Sequence, residues 1–315
     1  MKKILGMLTL SGLLLLSGCG GEEERSEAVE ISPLPLEETV IHDLQTSEDI
    51  ASEESFSAYE NTKTTVENVD YSVYFKGIRG CAVLYDLQEN AYQLYNSELC
   101  EQEVSPLSTF KIVSTLAGLK NGVLENETSN MAYSGTLYSV SDWNDNLTLE
   151  QAFQTSCIWY FRQVIDKVGT EELQRELDEL QYGNCDISEW NGSNINPLPE
   201  LNGFWLASSL KISPLSQVDV LKSIFEGESS YSGEDINILK NILAVNGETN
   251  GIYGKTGSGP GGQAWFVGFS EENGNRIYFA VYLEDSEQKD QVSGGMAREI
   301  ALDILAQALD GSSLQ

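Results

Sequence analysis

The segment Ser108-Thr109-Phe110-Lys111 follows Pro106 and begins the most informative stretch of this 315-residue chain. The apolar residues from Phe110 to Leu119 have the spacing of a largely buried helix that ends at Asn121-Gly122. An S-x-x-K pattern places the lysine one helical turn after the serine, so both side chains share a face. An uncharged lysine there can activate the serine hydroxyl, and the positive helix terminus favours developing negative charge. The segment predicts a serine nucleophile, although so short a pattern is weak by itself.

A second motif, Lys255-Thr256-Gly257-Ser258, lies about 150 residues later at the end of a strand-like run. Together with Gly254 it resembles the end of a phosphate-binding loop. That interpretation fails because Thr249 stands where such a loop requires glycine, and because the strand-like segment Ala264–Gly268 follows instead of a helix. A Lys-Thr-Gly strand beside a serine nucleophile suits a pocket for an anionic acyl substrate.

Composition excludes several classes of function. The chain has 49 acidic and 18 basic residues and a net charge of -31, so a nucleic-acid partner is excluded. Its one histidine, His42, lies in a polar, acidic stretch near the N-terminus. A Ser-His-Asp triad, a Cys-His pair and a histidine-ligated zinc site are therefore ruled out in the body of the chain, and no metal is expected. Acid–base chemistry must use Lys, Tyr, Asp, Glu or Cys.

The N-terminus has the pattern of a secreted protein. Two lysines precede an apolar run that ends in Leu16-Ser17-Gly18-Cys19, similar to the lipobox of bacterial lipoproteins. We expect a signal peptide over residues 1–18, a lipidated Cys19 with an acidic, disordered tether over 19–65, and a catalytic domain over 66–315. The mature protein would be anchored outside the cytoplasmic membrane. The alternative is an ordinary signal peptide with an incidental cysteine.

Hydrophobic periodicity predicts an α+β fold in which one antiparallel sheet joins both ends of the domain and helices lie between. Thr148 and Gln151 form a capping box for a helix whose apolar face continues through Phe153, Ile158, Phe161 and Ile165. The predicted strands are Cys81–Asp86, Ala91–Asn96, 252–256, 263–269 and 276–283. The other predicted helices are 170–180, 214–226, 234–244 and 296–309.

Four cysteines remain in the predicted domain. A turn near residues 88–90 would fold two strands back on each other and bring Cys81 and Cys100 roughly opposite. We therefore favour this pair for a disulfide in an oxidising compartment. Cys157 and Cys185 have apolar surroundings and are expected to behave as small buried hydrophobic residues.

In this order, the motifs resemble those of the penicillin-recognising serine enzymes, and in detail those of class D β-lactamases. The match spans about residues 72–310, although roughly ten extra residues, about 191–202, precede the tryptophan segment. The matching segments are Ser105–Ile112, Ser156-Cys157-Ile158, Tyr182-Gly183-Asn184, Phe204-Trp205-Leu206, Lys255-Thr256-Gly257 and Trp265–Gly268. The resemblance implies a β-lactamase/transpeptidase-like fold, with an antiparallel sheet flanked by helices and an inserted helical region.

The resemblance also implies a mechanism for hydrolysing β-lactam antibiotics. Ser108 would be the nucleophile, and Lys111, carboxylated by carbon dioxide, would be the general base. This requires a neutral amine, and burial would supply it. Ser156 would relay a proton to the leaving nitrogen with electrostatic help from Lys255, and the backbone N–H groups of Ser108 and Ser258 would hold the oxyanion. Thr256, Gly257 and Ser258 would bind substrate; Ile158, Trp205 and Tyr182 would support the site.

Alternatives remain for individual residues and for the whole chain. Ser156, Trp205 and Tyr182 have purely structural interpretations as a buried helix serine, a core indole and part of a helix-ending turn. Arg298 lies near the position where relatives bind the substrate carboxylate, but one residue out of register. The chain could instead be a non-hydrolysing β-lactam sensor or a small penicillin-binding protein acting on peptidoglycan. Apolar Ile158 and the absence of predicted transmembrane helices argue against a sensor.

Overall fold

The computed structural model describes residues 63–245, 251–272, 274–287 and 291–312. The expected signal peptide, Cys19 and nearly all of the expected tether lie outside the described residues. Thr65, which was assigned to the tether, instead begins the first strand.

Six strands form one sheet, which is antiparallel except for the parallel pair β1–β3. Its strand order, β1-β3-β2-β8-β7-β6, places the first and last strand groups of the domain side by side and leaves β6 at an edge. This confirms the predicted α+β fold. The strands are β1 (Thr65–Asn68), β2 (Gly80–Asp86), β3 (Ala91–Tyr95), the short outlying pair β4 (Asn130–Met131) and β5 (Leu147–Thr148), β6 (Ile252–Gly259), β7 (Gln263–Glu272) and β8 (Asn275–Glu284).

Helices cover both faces of the sheet. Alternate residues of β2 point to opposite faces: Val83 packs into a core shared with the central helices, and Leu84 packs against the last helix. The helices are α1 (Ser72–Phe75), α2 (Ser97–Glu101), α3 (Lys111–Lys120), α4 (Leu149–Gln154), α5 (Ile158–Val168), α6 (Thr170–Leu180), α7 (Pro214–Phe225), α8 (Gly233–Leu243) and α9 (Gly294–Ser312). No helix in the described part of the chain is long and apolar enough to cross a bilayer.

The helix that begins after Thr148 is not continuous, contrary to the prediction. The capping box is present, with Gln151 N donating to Thr148 Oγ1 at 3.2 Å. However, α4 ends at Gln154 and α5 begins only at Ile158, because Ser156 has a left-handed backbone with φ +58°. Ser156 therefore lies in a break between two helices and not on one helix with Ile158. The apolar periodicity runs through this break and conceals it.

Cys81 and Cys100 are free thiols, so the expected disulfide is absent from the structure. Burial, and to a lesser extent the neighbouring Cys100 thiol, raises the pKa of the Cys81 thiol. Cys100 lies on α2, and its Sγ donates to the Tyr95 carbonyl oxygen at 3.3 Å. Cys157 is fully buried, as expected, whereas Cys185 is only half-buried.

Candidate active site

The side chains of Ser108 and Lys111 are hydrogen-bonded to each other. The lysine Nζ donates to Ser108 Oγ at 3.0 Å. Ser108 lies in a short 3-10 turn, Leu107–Phe110, that leads directly into α3. Leu107 has φ +54°, a conformation that a branched residue adopts only where the surroundings enforce it. Ser108 retains 9% of its exposure whereas Lys111 retains none, so the hydroxyl reaches the surface and the amine is enclosed.

Burial lowers the pKa of Lys111 well below its usual value. The positive charge of Lys255 lowers it further, and the nearby Cys157 thiol acts in the opposite direction. The amine also lies 5.5 Å from the centre of the Phe161 ring. Burial therefore favours the neutral amine, the form that a base or a carboxylation site requires, although the nearby ring face by itself would attract a cation.

A second serine–lysine pair faces the first. Lys255 Nζ donates to Ser156 Oγ at 3.1 Å and to the Thr256 carbonyl oxygen at 2.9 Å. Burial lowers the pKa of Lys255 to about 7, so this amine changes charge near neutral pH. Ser156 contacts Lys255 on β6, and its left-handed backbone lies in the break between α4 and α5.

The edge strand β6 passes directly alongside the nucleophile turn. A Cβ atom at Gly257 would lie 3.4 Å from Ser108 N, and one at Gly259 would lie 2.9 Å from the Leu107 side chain. A side chain at Gly257 would thus make ordinary contact, whereas one at Gly259 would require the Leu107 side chain to shift. On the other side of the strand, Ser258 Oγ accepts a hydrogen bond from Gly294 N at 2.9 Å, which attaches the start of α9 to the site. Thr256 is half-buried and Ser258 is exposed, so both remain within reach of a ligand.

Trp205 lies beside the turn, and its indole N–H is buried without a partner. Its ring stacks on Phe110, the neighbour of Lys111, at 5.8 Å between centroids, and its carbonyl oxygen accepts from Leu107 N at 3.0 Å. Tyr182 is also buried and packs edge-on against Phe110 at 5.7 Å. Ile158 is half-buried at the start of α5.

Two residues near the site were not assigned to it from the sequence. Cys157, expected to be a small buried hydrophobic residue, is buried as expected and lies near enough to the Lys111 amine to oppose slightly the lowering of its pKa. Arg298 was set aside because of its register. It lines a cavity of about 200 Å³ together with Lys255 and Thr256, with no acidic residue among the lining residues.

The arrangement combines a nucleophile beside a neutral amine with a second serine on a titratable lysine. Lys255 and Arg298 favour an anionic group at the cavity that they line, which Ser108 and Lys111 do not line, in an otherwise strongly acidic chain. Among the described residues, no cluster of side chains suited to a metal ion occurs. The chemistry that these groups support is acyl transfer through a serine ester.

The family model for the penicillin binding protein transpeptidase domain matches residues 39–306. The regulatory protein BlaR1 of Bacillus licheniformis is 33% identical over 250 residues, which cover 77% of this chain and 39% of BlaR1. The probable beta-lactamase YbxI of Bacillus subtilis is 32% identical over 234 residues, 73% of this chain and 81% of YbxI. The crystal structure of a class D beta-lactamase from Bacillus subtilis superposes with a TM-score of 0.67 at 32% identity, covering 76% of this chain and 95% of that one.

The chain therefore belongs to the penicillin-binding transpeptidase-domain family of serine enzymes. Its fold is that of the class D β-lactamases and the related penicillin-receptor domains. The chain spans about two-fifths of the length of BlaR1, whereas it spans most of YbxI.

Proposed function

We propose that the chain hydrolyses β-lactam antibiotics through an acyl-enzyme on Ser108. The observation that carries the proposal is the enclosed, neutral Lys111 in hydrogen-bonding contact with the nucleophile, opposite the pair formed by Ser156 and Lys255. A histidine-free site of this kind needs an amine-derived base, and this chain has one at the required distance.

In the acylation step, Ser108 Oγ attacks the lactam carbonyl as its proton passes to the base at Lys111. Ser156 Oγ accepts a hydrogen bond from Lys255 Nζ, so Ser156 could relay a proton from Lys255 to the leaving nitrogen. The backbone N–H groups of Ser108 and Ser258 would hold the oxyanion. One belongs to the nucleophile turn and the other to strand β6, which lie next to each other at Gly257. Thr256, Lys255 and Arg298 offer donors for the carboxylate of the substrate.

Deacylation requires a base that activates water, and a carboxyl group on Lys111 would supply it. The site fits such a group on two observations. The amine is kept neutral by burial, and the buried indole N–H of Trp205, in the ring that stacks on Phe110, has no partner. Leaving a buried donor unpaired is costly, so an acceptor at this position would be stabilised.

Turnover of a chromogenic cephalosporin by the degassed protein should depend on added bicarbonate. Only the neutral amine combines with carbon dioxide, so acidification removes the group and bicarbonate near neutral pH restores it. We expect the restored rate to coincide with a carboxyl-lysine signal in carbon-13 NMR after loading with labelled bicarbonate. A bicarbonate-insensitive rate without that signal would contradict the carboxylated base.

The second candidate is a β-lactam receptor that acylates without turnover. The sequence identity of 33% between this chain and BlaR1, which is named a regulatory protein, favours this candidate. The sequence of the site argues for hydrolysis, because Ile158 presents an apolar side chain where a polar residue in sensors accompanies loss of the lysine carboxyl group.

Replacing Ile158 by Asn should convert the hydrolase into a trap. An amide near the carbamate would stabilise protonated forms and admit water, while Ser108 and its acylation contacts stay in place. We expect deacylation to slow by two to three decades, roughly 3–4 kcal/mol. Burst-phase kinetics measure it, with Ile158→Val as the matched control. If Ile158→Asn turned over at the parental rate and no acyl-enzyme accumulated, the main sequence argument against a receptor function would be lost.

We further propose that the domain is held outside the cytoplasmic membrane by a lipid on Cys19. The lipobox-like pattern supports this assignment, and the residue lies outside the described part of the chain. Metabolic labelling with a fatty-acid analogue should label the parental protein and leave Cys19→Ala unlabelled.

A further inference from the structure

A buried glutamine on α7 reaches the residue next to the nucleophile. Gln217 is 2% exposed, and its Nε2 donates to Thr109 Oγ1 at 2.8 Å and lies 3.4 Å from the Tyr182 hydroxyl. Burying an amide is unfavourable unless its polar atoms are hydrogen-bonded. This amide nitrogen is directed at the side chain that follows Ser108, so its placement serves more than filling the core.

Thr109 connects Gln217 to the backbone of the nucleophile turn through two hydrogen bonds of its hydroxyl group. Its Oγ1 donates to the Pro106 carbonyl oxygen at 2.7 Å, and its own N–H donates to the same oxygen at 3.2 Å. Because Oγ1 accepts from Gln217, its single proton is left for Pro106, and linked hydrogen bonds of this kind strengthen one another. The chain from Gln217 through Thr109 therefore closes the turn that contains Ser108.

That turn is the strained part of the site. Leu107, between Pro106 and Ser108, has its φ at +54°, and such a conformation persists only where neighbouring contacts over-determine it. One restraint is the hydrogen bond from Leu107 N to the Trp205 carbonyl oxygen at 3.0 Å. The Gln217–Thr109–Pro106 chain is the restraint on the other side of the nucleophile.

We propose that Gln217 is a positioning residue for the nucleophile. Acting through Thr109, it holds the turn that aims Ser108 at the substrate carbonyl, and it thereby sets the rate of acylation. The inference rests on the proposed acylation of Ser108 by β-lactams. It does not depend on whether the acyl-enzyme is later hydrolysed.

Stopped-flow acylation of the full-length protein by a chromogenic cephalosporin tests this role, with the acylation rate constant and the dissociation constant of the non-covalent complex obtained separately. Gln217→Met keeps the side-chain length and removes the donor. We expect the acylation rate constant to fall by about 10- to 100-fold, because small displacements of a reacting group have large effects, with the dissociation constant nearly unchanged. Gln163→Met is the matched control, since Gln163 Nε2 donates to the Ala132 carbonyl oxygen, outside the nucleophile turn.

Thr109→Val and the double variant separate positioning from general stability. If Gln217 acts through Thr109, then Thr109→Val shows the same loss and the double variant loses no more than either single one. Parental acylation by Gln217→Met, or additive losses in the double variant, would overturn the proposal. Should Gln217→Met fail to fold, parental acylation by Thr109→Val overturns it equally. A parental protein that is never acylated would instead refute the proposed function.

Discussion

Ser108→Ala should form no covalent adduct with a labelled penicillin and should remain folded. The hydroxyl is the only group that this change removes, and it is the atom that contacts Lys111 Nζ. Without it no ester can form, so both turnover and trapping disappear, whichever of the two candidate functions holds. Intact-mass spectrometry after incubation with penicillin measures the adduct, and thermal unfolding monitors the fold.

Ser114→Ala provides the matched control for this experiment. Ser114 is a buried serine on α3, the helix that follows the Ser108 turn, and its hydroxyl donates to the Phe110 carbonyl oxygen, so its removal should leave labelling intact. A penicilloyl mass increment on Ser108→Ala would exclude Ser108 as the nucleophile.

Lys111→Ala should reduce turnover by about three to four decades, or roughly 4–5 kcal/mol of transition-state stabilisation. The change removes the only amine in contact with Ser108 Oγ within the described chain and the group on which a carboxylate would form. Bicarbonate should no longer affect the residual rate, whereas it should still affect the parental rate. Steady-state turnover across a bicarbonate titration measures both outcomes.

Lys63→Ala serves as the control, because Lys63 is exposed. Its rate should match the parental rate. If Lys111→Ala retained turnover within tenfold of the parental value, another group would have to be the base. Lys255, with a pKa of about 7, would be the first candidate to test.

Local patterns were enough to predict the nucleophile segment and the strand that carries Lys255. Both are short segments whose chemistry depends on residues near one another in sequence, such as the turn that leads from Ser108 to Lys111. The start of α4 at its capping box was predictable for the same reason. The break at Ser156 was not, because apolar periodicity continues across it and the interruption is imposed from outside the segment.

That break shows where local patterns stop being informative. At the end of α4, the Thr155 carbonyl oxygen accepts the indole N–H of Trp143 at 3.0 Å. A distant segment thus satisfies a backbone group at the helix end, while Ser156 turns towards Lys255. Arg298 is a similar case, because it lines a cavity together with residues of β6, α4 and α8 that its position in α9 alone does not reveal.

The amino-acid sequence by itself determined the family of folds and is the basis of the proposed chemistry. It contains no useful histidine, it has two lysine motifs in a fixed order, and its strand patterns at both ends of the domain require a shared sheet. The tertiary structure alone decided the lowering of the pKa values of Lys111 and Lys255 by burial, the break that presents Ser156, and the contact of Gln217 with Thr109. The physical reason is that burial, like-charge proximity and long-range hydrogen bonds depend on groups distant in the chain, which no local pattern encodes.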